Sequence, residues 1–109
     1  MQIQFLFWEG CPSHEPALER LRTVMKEEGV TAEIEIIEIT TREQAQEWRF
    51  PGSPTILIDG LDIDPPPPDA FFTLTCRAYT RKDGRISPLP SPELIRRALC
   101  AAREAAWLP

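Results

Sequence analysis

The sequence predicts an α/β fold of order βαβαββα, a four-stranded mixed sheet flanked by helices. Three observations predict it. Apolar runs short enough for strands alternate with segments of helical period. Proline and glycine punctuate the junctions between them. A strand, a crossover helix and a second strand imply a parallel pair with a right-handed connection, and two consecutive strands later imply a hairpin.

Ile3-Gln4-Phe5-Leu6-Phe7-Trp8, followed by Gly10, reads as a buried strand. From Ser13 the period changes: Leu18, Leu21, Val24 and Met25 recur at helical spacing, with Glu19, Arg20, Arg22, Lys26 and Glu27 facing water. Ser13 is the expected N-cap, which places Pro16 in the first turn, where its missing N–H does little harm. Gly29 stands where a helix C-terminus favours it. A second strand is expected over 31–39, with Ile34, Ile36 and Ile39 on one face, Glu33, Glu35 and Glu38 outward, and Ile37 breaking the alternation.

Thr40-Thr41-Arg42-Glu43 contains a capping-box pattern and opens a short helix that runs to Trp48 or Arg49. Phe50-Pro51-Gly52-Ser53-Pro54 is a turn, and Thr55-Ile56-Leu57-Ile58-Asp59-Gly60 a third strand closed by glycine. The prolines between Asp62 and Asp69 predict an extended surface connection. A fourth strand is expected over 72–80, with Lys82-Asp83-Gly84-Arg85 as its turn. Ser91-Pro92 opens the last helix, a cap residue followed by proline at the first helical position. Its buried stripe is Leu94, Ile95, Ala98, Leu99 and Ala102. No repeat and no second domain is visible, so residues 1–109 are read as one domain.

The net charge of −5, with Lys and Arg scattered, argues against a nucleic-acid partner. No apolar run approaches the roughly 20 residues needed to span a bilayer, so no membrane partner is expected. The first ten residues lack a basic region and a small-residue cleavage site, and a cytoplasmic location is the expectation. Cys11, Cys76 and Cys100 are too few and too scattered for a disulfide scaffold, and there is no Cys-x-x-Cys.

Two motifs bear on function. One is Phe7-Trp8-Glu9-Gly10-Cys11-Pro12-Ser13-His14, a cysteine where the first strand hands over to the first helix; the other is Gly52-Ser53-Pro54-Thr55-Ile56-Leu57-Ile58-Asp59-Gly60. Together, and in this element order, they make the chain resemble the thioredoxin-like superfamily. The resemblance covers most of the chain by element order and about twenty residues by motif. It implies a cis peptide bond at Pro54, packed beside a reactive Cys11. A closer resemblance is to small Gly-Cys-Pro thioredoxin-family proteins, some of them named alkylmercury lyases, with the Ser-Pro-Thr turn and a Cys-Arg-x-Tyr strand, here Cys76-Arg77-Ala78-Tyr79. The chain departs from the dithiol pattern at His14, which stands where thioredoxins carry the second, resolving cysteine. It also has Ser53-Pro54 where glutaredoxins typically have Val-Pro.

Cys11 and His14 are the candidate catalytic residues. Thiolate is the nucleophile, and a cysteine near a helix N-terminus has its anion favoured by free N–H groups and the helix dipole. His14 either supports that thiolate, as cation or base, or is a solvated first-turn residue. The resemblance makes Ser53, Pro54 and Pro12 candidate substrate-binding residues, with the Ser53 backbone free to pair with a substrate strand. Cys76 is a possible second thiol, expected opposite Ile56 on a hairpin partner of the third strand, or else a small core side chain. Arg77 and Tyr79 are expected to project away from Cys76 as surface pairs. Trp8 and Trp48 are read as core or groove-lining aromatics, and Cys100 as lying outside the site.

Thiol–disulfide exchange through Cys11, with a protein or low-molecular-weight thiol or disulfide as partner, is the leading expectation. It would resolve through an external thiol, or through Cys76. It implies no metal and no organic cofactor. Alternatives are soft-metal or organomercurial binding by Cys11 and Cys76, and a binding adaptor without catalysis. Oligomeric state is not legible.

Overall fold

The computed structural model describes residues 1–81 and 83–106. Among these residues nine elements follow in order: β1 (Ile3–Phe7), α1 (His14–Glu27), β2 (Ile34–Glu38), α2 (Arg42–Glu47), β3 (Thr55–Ile58), β4 (Leu61–Asp62), β5 (Tyr79–Thr80), β6 (Ile86–Ser87) and α3 (Pro92–Ala105). The described residues are mixed α/β, with three helices and a four-stranded mixed sheet of order β2-β1-β3-β4. β1 runs parallel to β2 and antiparallel to β3, and β3 is antiparallel to β4.

Alternation along the strands divides the apolar residues between two faces. Ile3 and Phe5 of β1 and Ile56 and Ile58 of β3 meet Ala17, Leu21, Val24 and Met25 of α1 and Ile95 and Leu99 of α3. Leu6, on the opposite face of β1, packs with Ile39, Ala45 of α2 and Phe50, flanked by Trp8, Trp48 and Leu74. Gln4 shares the face of Leu6; its Nε2 donates to Glu35 Oε1 at 3.0 Å from the residue paired with it on β2.

Local chemistry sets the helix ends. Ser13 is the N-cap of α1, as expected, although its hydroxyl makes no capping bond. Gly29, at φ 70°, closes α1 as Val30 N–H donates to Met25 O at 2.8 Å and Gly29 N–H to Lys26 O at 3.2 Å. The paired bonds are those of a Schellman motif. Thr41 and Gln44 form the full capping box of α2. α2 ends on Arg49 at φ 52°, with Phe50 N–H donating to Ala45 O at 2.7 Å. This second closure drops Phe50 into the core and fixes where the Pro51–Pro54 turn leaves it. Ser91 caps α3 through Leu94 N–H at 3.1 Å, with Pro92 at the first position.

The second half of the sheet differs from expectation. The strand that pairs with β3 is β4, not residues 72–80. Asp59 and Gly60 both take positive φ, 51° and 80°, which makes them the central pair of a two-residue type I′ hairpin turn. That turn sends the chain straight back along β3; Ile63 N–H still donates to Ile56 O at 3.1 Å, and Asp64 N–H then turns onto Asp62 Oδ1 at 2.9 Å, which ends the pairing ahead of the prolines at 65–68. Of residues 72–80 only Tyr79 and Thr80 are in a strand, and they pair with β6 in a separate ribbon. Part of the turn expected over 82–85 lies outside the described residues. β2 is shorter than expected, and Ile36, on this edge strand, is 48% exposed rather than buried.

Candidate functional site

The site lies where three pieces of chain meet: the β1–α1 junction, the turn entering β3, and the segment around Cys76. Each is positioned by its own local bonds. At the junction Cys11 N–H donates to Trp8 O at 3.0 Å, closing a tight turn through Glu9 and Gly10. Gly10 lets the Trp8 ring lie over this turn, since a Cβ would stand 2.3 Å from the ring and push it aside. Trp8 N–H donates to Ser53 Oγ at 3.0 Å, which ties the junction to the second piece.

In the second piece the Ser53–Pro54 peptide bond is cis. Thr55 Oγ1 donates to Gly52 O at 2.7 Å, and Tyr79 Oη donates to Pro54 O at 2.7 Å. Burial pushes the Tyr79 phenol up, so it stays a donor at any ordinary pH.

The third piece is held by Arg77, which sequence reasoning placed on the surface. It is buried, and so is Tyr79. The guanidinium forks onto Asp62, Nη1 to Oδ2 at 3.0 Å and Nη2 to Oδ1 at 3.1 Å. It also donates to Thr55 Oγ1 at 3.1 Å and to the Asp64 carbonyl, and lies 4.7 Å over the Tyr79 ring. Burial pushes the Asp62 carboxyl up, and the Arg77 hydrogen bonds and charge pull it back. A planar fork against a carboxylate is the geometry that compensates best for desolvating two charges.

So anchored, residues 75–77 pair with Ser53. Ser53 N–H donates to Thr75 O at 2.7 Å and Arg77 N–H donates to Ser53 O at 2.8 Å, making a parallel bridge between Ser53 and Cys76. Two expectations are corrected here. Cys76 stands level with Ser53, not Ile56. The Ser53 backbone is not free for a substrate strand, because the chain itself occupies that edge. Strand alternation then turns the backbone N–H and C=O of Cys76 away from Ser53.

The consequence is a pair of thiols. Cys76 Sγ lies 2.6 Å from Cys11 Sγ, and Cys11 Sγ lies 3.5 Å from Ser53 O. Cys11 is fully buried, while Cys76 is exposed. The Cys76 thiol is pushed up to about 11, first by its hydrogen bond to Cys11, then by desolvation and by charge on Cys11. Arg77, next in sequence, is turned inward to Asp62.

The remaining candidates divide. Pro54 packs into this junction, whereas Pro12 is exposed. His14 is not aimed at the sulfur by its hydrogen bond: Nδ1 lies 2.8 Å from the Cys11 carbonyl, and the ring stacks on Phe7 at 4.7 Å. With a carbonyl as acceptor, Nδ1 carries the proton. α1 begins three residues after Cys11, and among the described residues none of its N–H groups bonds to the thiol. Cys100 lies on α3, 3.5 Å from Glu28 Oε1. No cluster of three or more His, Cys, Asp or Glu suited to a metal occurs among the described residues.

Gly52 sets how closely the second and third pieces approach. At φ 150°, a Cβ would meet Arg77 Cα and N at 2.8 Å. Gly52→Ala is expected to push residues 75–77 off Ser53 and to destabilise by about 1–3 kcal/mol. Urea unfolding measures the loss, and an unchanged midpoint would show that the contact does not constrain the segment.

Compared with protein-family models, curated proteins and solved structures, the chain finds no match in any of the three. Among the described residues no helix is long and apolar enough to cross a membrane. Function is therefore read from the site.

Proposed function

We propose that the chain is a thioredoxin-like thiol–disulfide exchange protein whose working pair is Cys11 and Cys76. The observation behind this reading is the 2.6 Å separation of the two sulfurs. A second thiol this close lets a mixed disulfide be resolved inside the chain, so His14 at the usual resolving position does not prevent a dithiol cycle. The β1-α1-β2 start, the antiparallel β3 and the cis Pro54 beside Cys11 are what support the thioredoxin-like description. The domain would work on a low-molecular-weight or protein thiol or disulfide, without metal or organic cofactor.

The test is exchange between glutathione disulfide and dithiothreitol, followed by glutathione release. Wild type is expected to accelerate exchange, and Cys11→Ser and Cys76→Ser each to lower the acceleration by about tenfold or more, with Cys100→Ser unchanged. Equal activity in all four proteins would remove the proposal.

The same pair favours a second reading, a two-thiolate clamp on a soft metal cation. The sulfurs would have to part, because each metal–sulfur bond is itself about 2.3 Å for zinc. A metal-to-thiolate charge-transfer band in wild type, lost in both single variants, distinguishes it.

A further inference from the structure

We infer that Cys76, not the motif cysteine Cys11, is the sulfur that exchanges with the partner, and that Cys11 is the resolving thiol. This rests on the proposed exchange function but reverses the order that the motif suggests. Exchange needs an attacking sulfur, the sulfur it attacks and the leaving sulfur close to one line, so the partner must reach one sulfur of the pair from outside. Cys11 has no exposed surface. Its sulfur meets the Ser53 carbonyl on one side and Cys76 on the other. Cys76 is exposed, and its segment is fixed from behind by the Ser53 pairing and the Arg77–Asp62 fork. A partner arriving from solvent therefore meets Cys76 first, with Cys11 behind it.

The steps balance with a low-molecular-weight disulfide as oxidant. Cys76 gives its proton to solvent and attacks one sulfur of the disulfide. That S–S bond breaks, and one partner thiolate leaves with the electron pair. Cys11 then attacks Cys76 Sγ, and its proton leaves with the departing partner sulfur, which is released as the thiol. The mixed disulfide breaks, and the Cys11–Cys76 bond forms. The partner disulfide gains two electrons, and the protein dithiol loses two.

The test treats full-length reduced protein with glutathione disulfide and reads intact mass and the modified peptide. All variants also carry Cys100→Ser. Cys11→Ser is expected to accumulate a stable glutathione adduct on Cys76. Cys76→Ser, in which the serine still covers Cys11, is expected to react at least about tenfold more slowly, and to react readily once unfolded in denaturant. In reduced wild type, brief alkylation is expected to label Cys76 before Cys11, a check that needs no variant. An adduct forming faster on Cys11, or Cys11 alkylated first, overturns the inference, as does an unreactive Cys76 in folded Cys11→Ser. Wild type that forms the Cys11–Cys76 bond while failing these tests would overturn the order alone. Wild type that forms no such bond would overturn the exchange function itself.

Discussion

Arg77→Ala is expected to cost about 3–5 kcal/mol, because it leaves the buried Asp62 carboxylate without its partner. The same change frees Thr55 Oγ1 and the Asp64 carbonyl, and removes the cation from the face of Tyr79. For a domain of 109 residues a loss of that size approaches much of the total stability. It should also slow closure of the Cys11–Cys76 pair, since residues 75–77 would then be held over the Ser53–Pro54 turn by the two backbone bonds to Ser53 and the Tyr79 hydroxyl on Pro54 O, without the fork behind them. Arg77→Lys should restore little, as an ammonium cannot reproduce a fork onto both Asp62 oxygens. Denaturant unfolding and the rate of disulfide closure check the two parts. Loss under 1 kcal/mol, or unchanged closure, would show that the fork neither supports the fold nor positions Cys76.

Oxidation is expected to stabilise the domain strongly. Joining residues 65 apart in sequence removes chain entropy from the unfolded state. In the loop-closure account that is worth about 4 kcal/mol. At about 4–8 °C per kcal/mol for a domain near this size, Tm should rise by about 20 °C or somewhat more. The thiols meet without large displacement of their anchored segments, so the native state has little rearrangement to set against this gain. Raised pH should speed formation of the bond. With the Cys76 thiol pushed up to about 11, its thiolate fraction rises about tenfold per pH step until that value is reached. Calorimetry of reduced and oxidised protein gives the shift. Equal melting temperatures would mean that the bond does not form or that it distorts the native site.

The sequence made the helices and the start of the sheet legible because their signals are local. The period of α1, the glycine that ends it, the Thr41 capping box and the Ser91-Pro92 start of α3 each act within a few residues. The cysteine at the β1–α1 junction and the turn before β3 were legible as motifs, and Cys76 as a possible partner thiol. The course of residues 61–80 was not. A two-residue strand has too little pattern to read, and the one clear signal, Asp59-Gly60, looked like the end of a strand rather than the middle of a hairpin. Arg77 was missed for a physical reason: a lone arginine is exposed by default, and its burial depends on Asp62, which only the hairpin brings near. Tyr79 follows from the same error, since its hydroxyl finds Pro54 only when the segment folds over Ser53. His14 was overread. Its position in the motif is that of a resolving group, but its ring nitrogen is committed to the Cys11 carbonyl.

Peptide mapping of the oxidised, folded protein asks the most direct question. If the inner face of residues 75–77 is seated on Ser53 with the sulfurs in contact, mild oxidation should yield one internal cross-link between the peptides containing Cys11 and Cys76, leaving Cys100 free for alkylation. Recovery of Cys11 and Cys76 both unlinked, or a bond from either one to Cys100, would contradict the account.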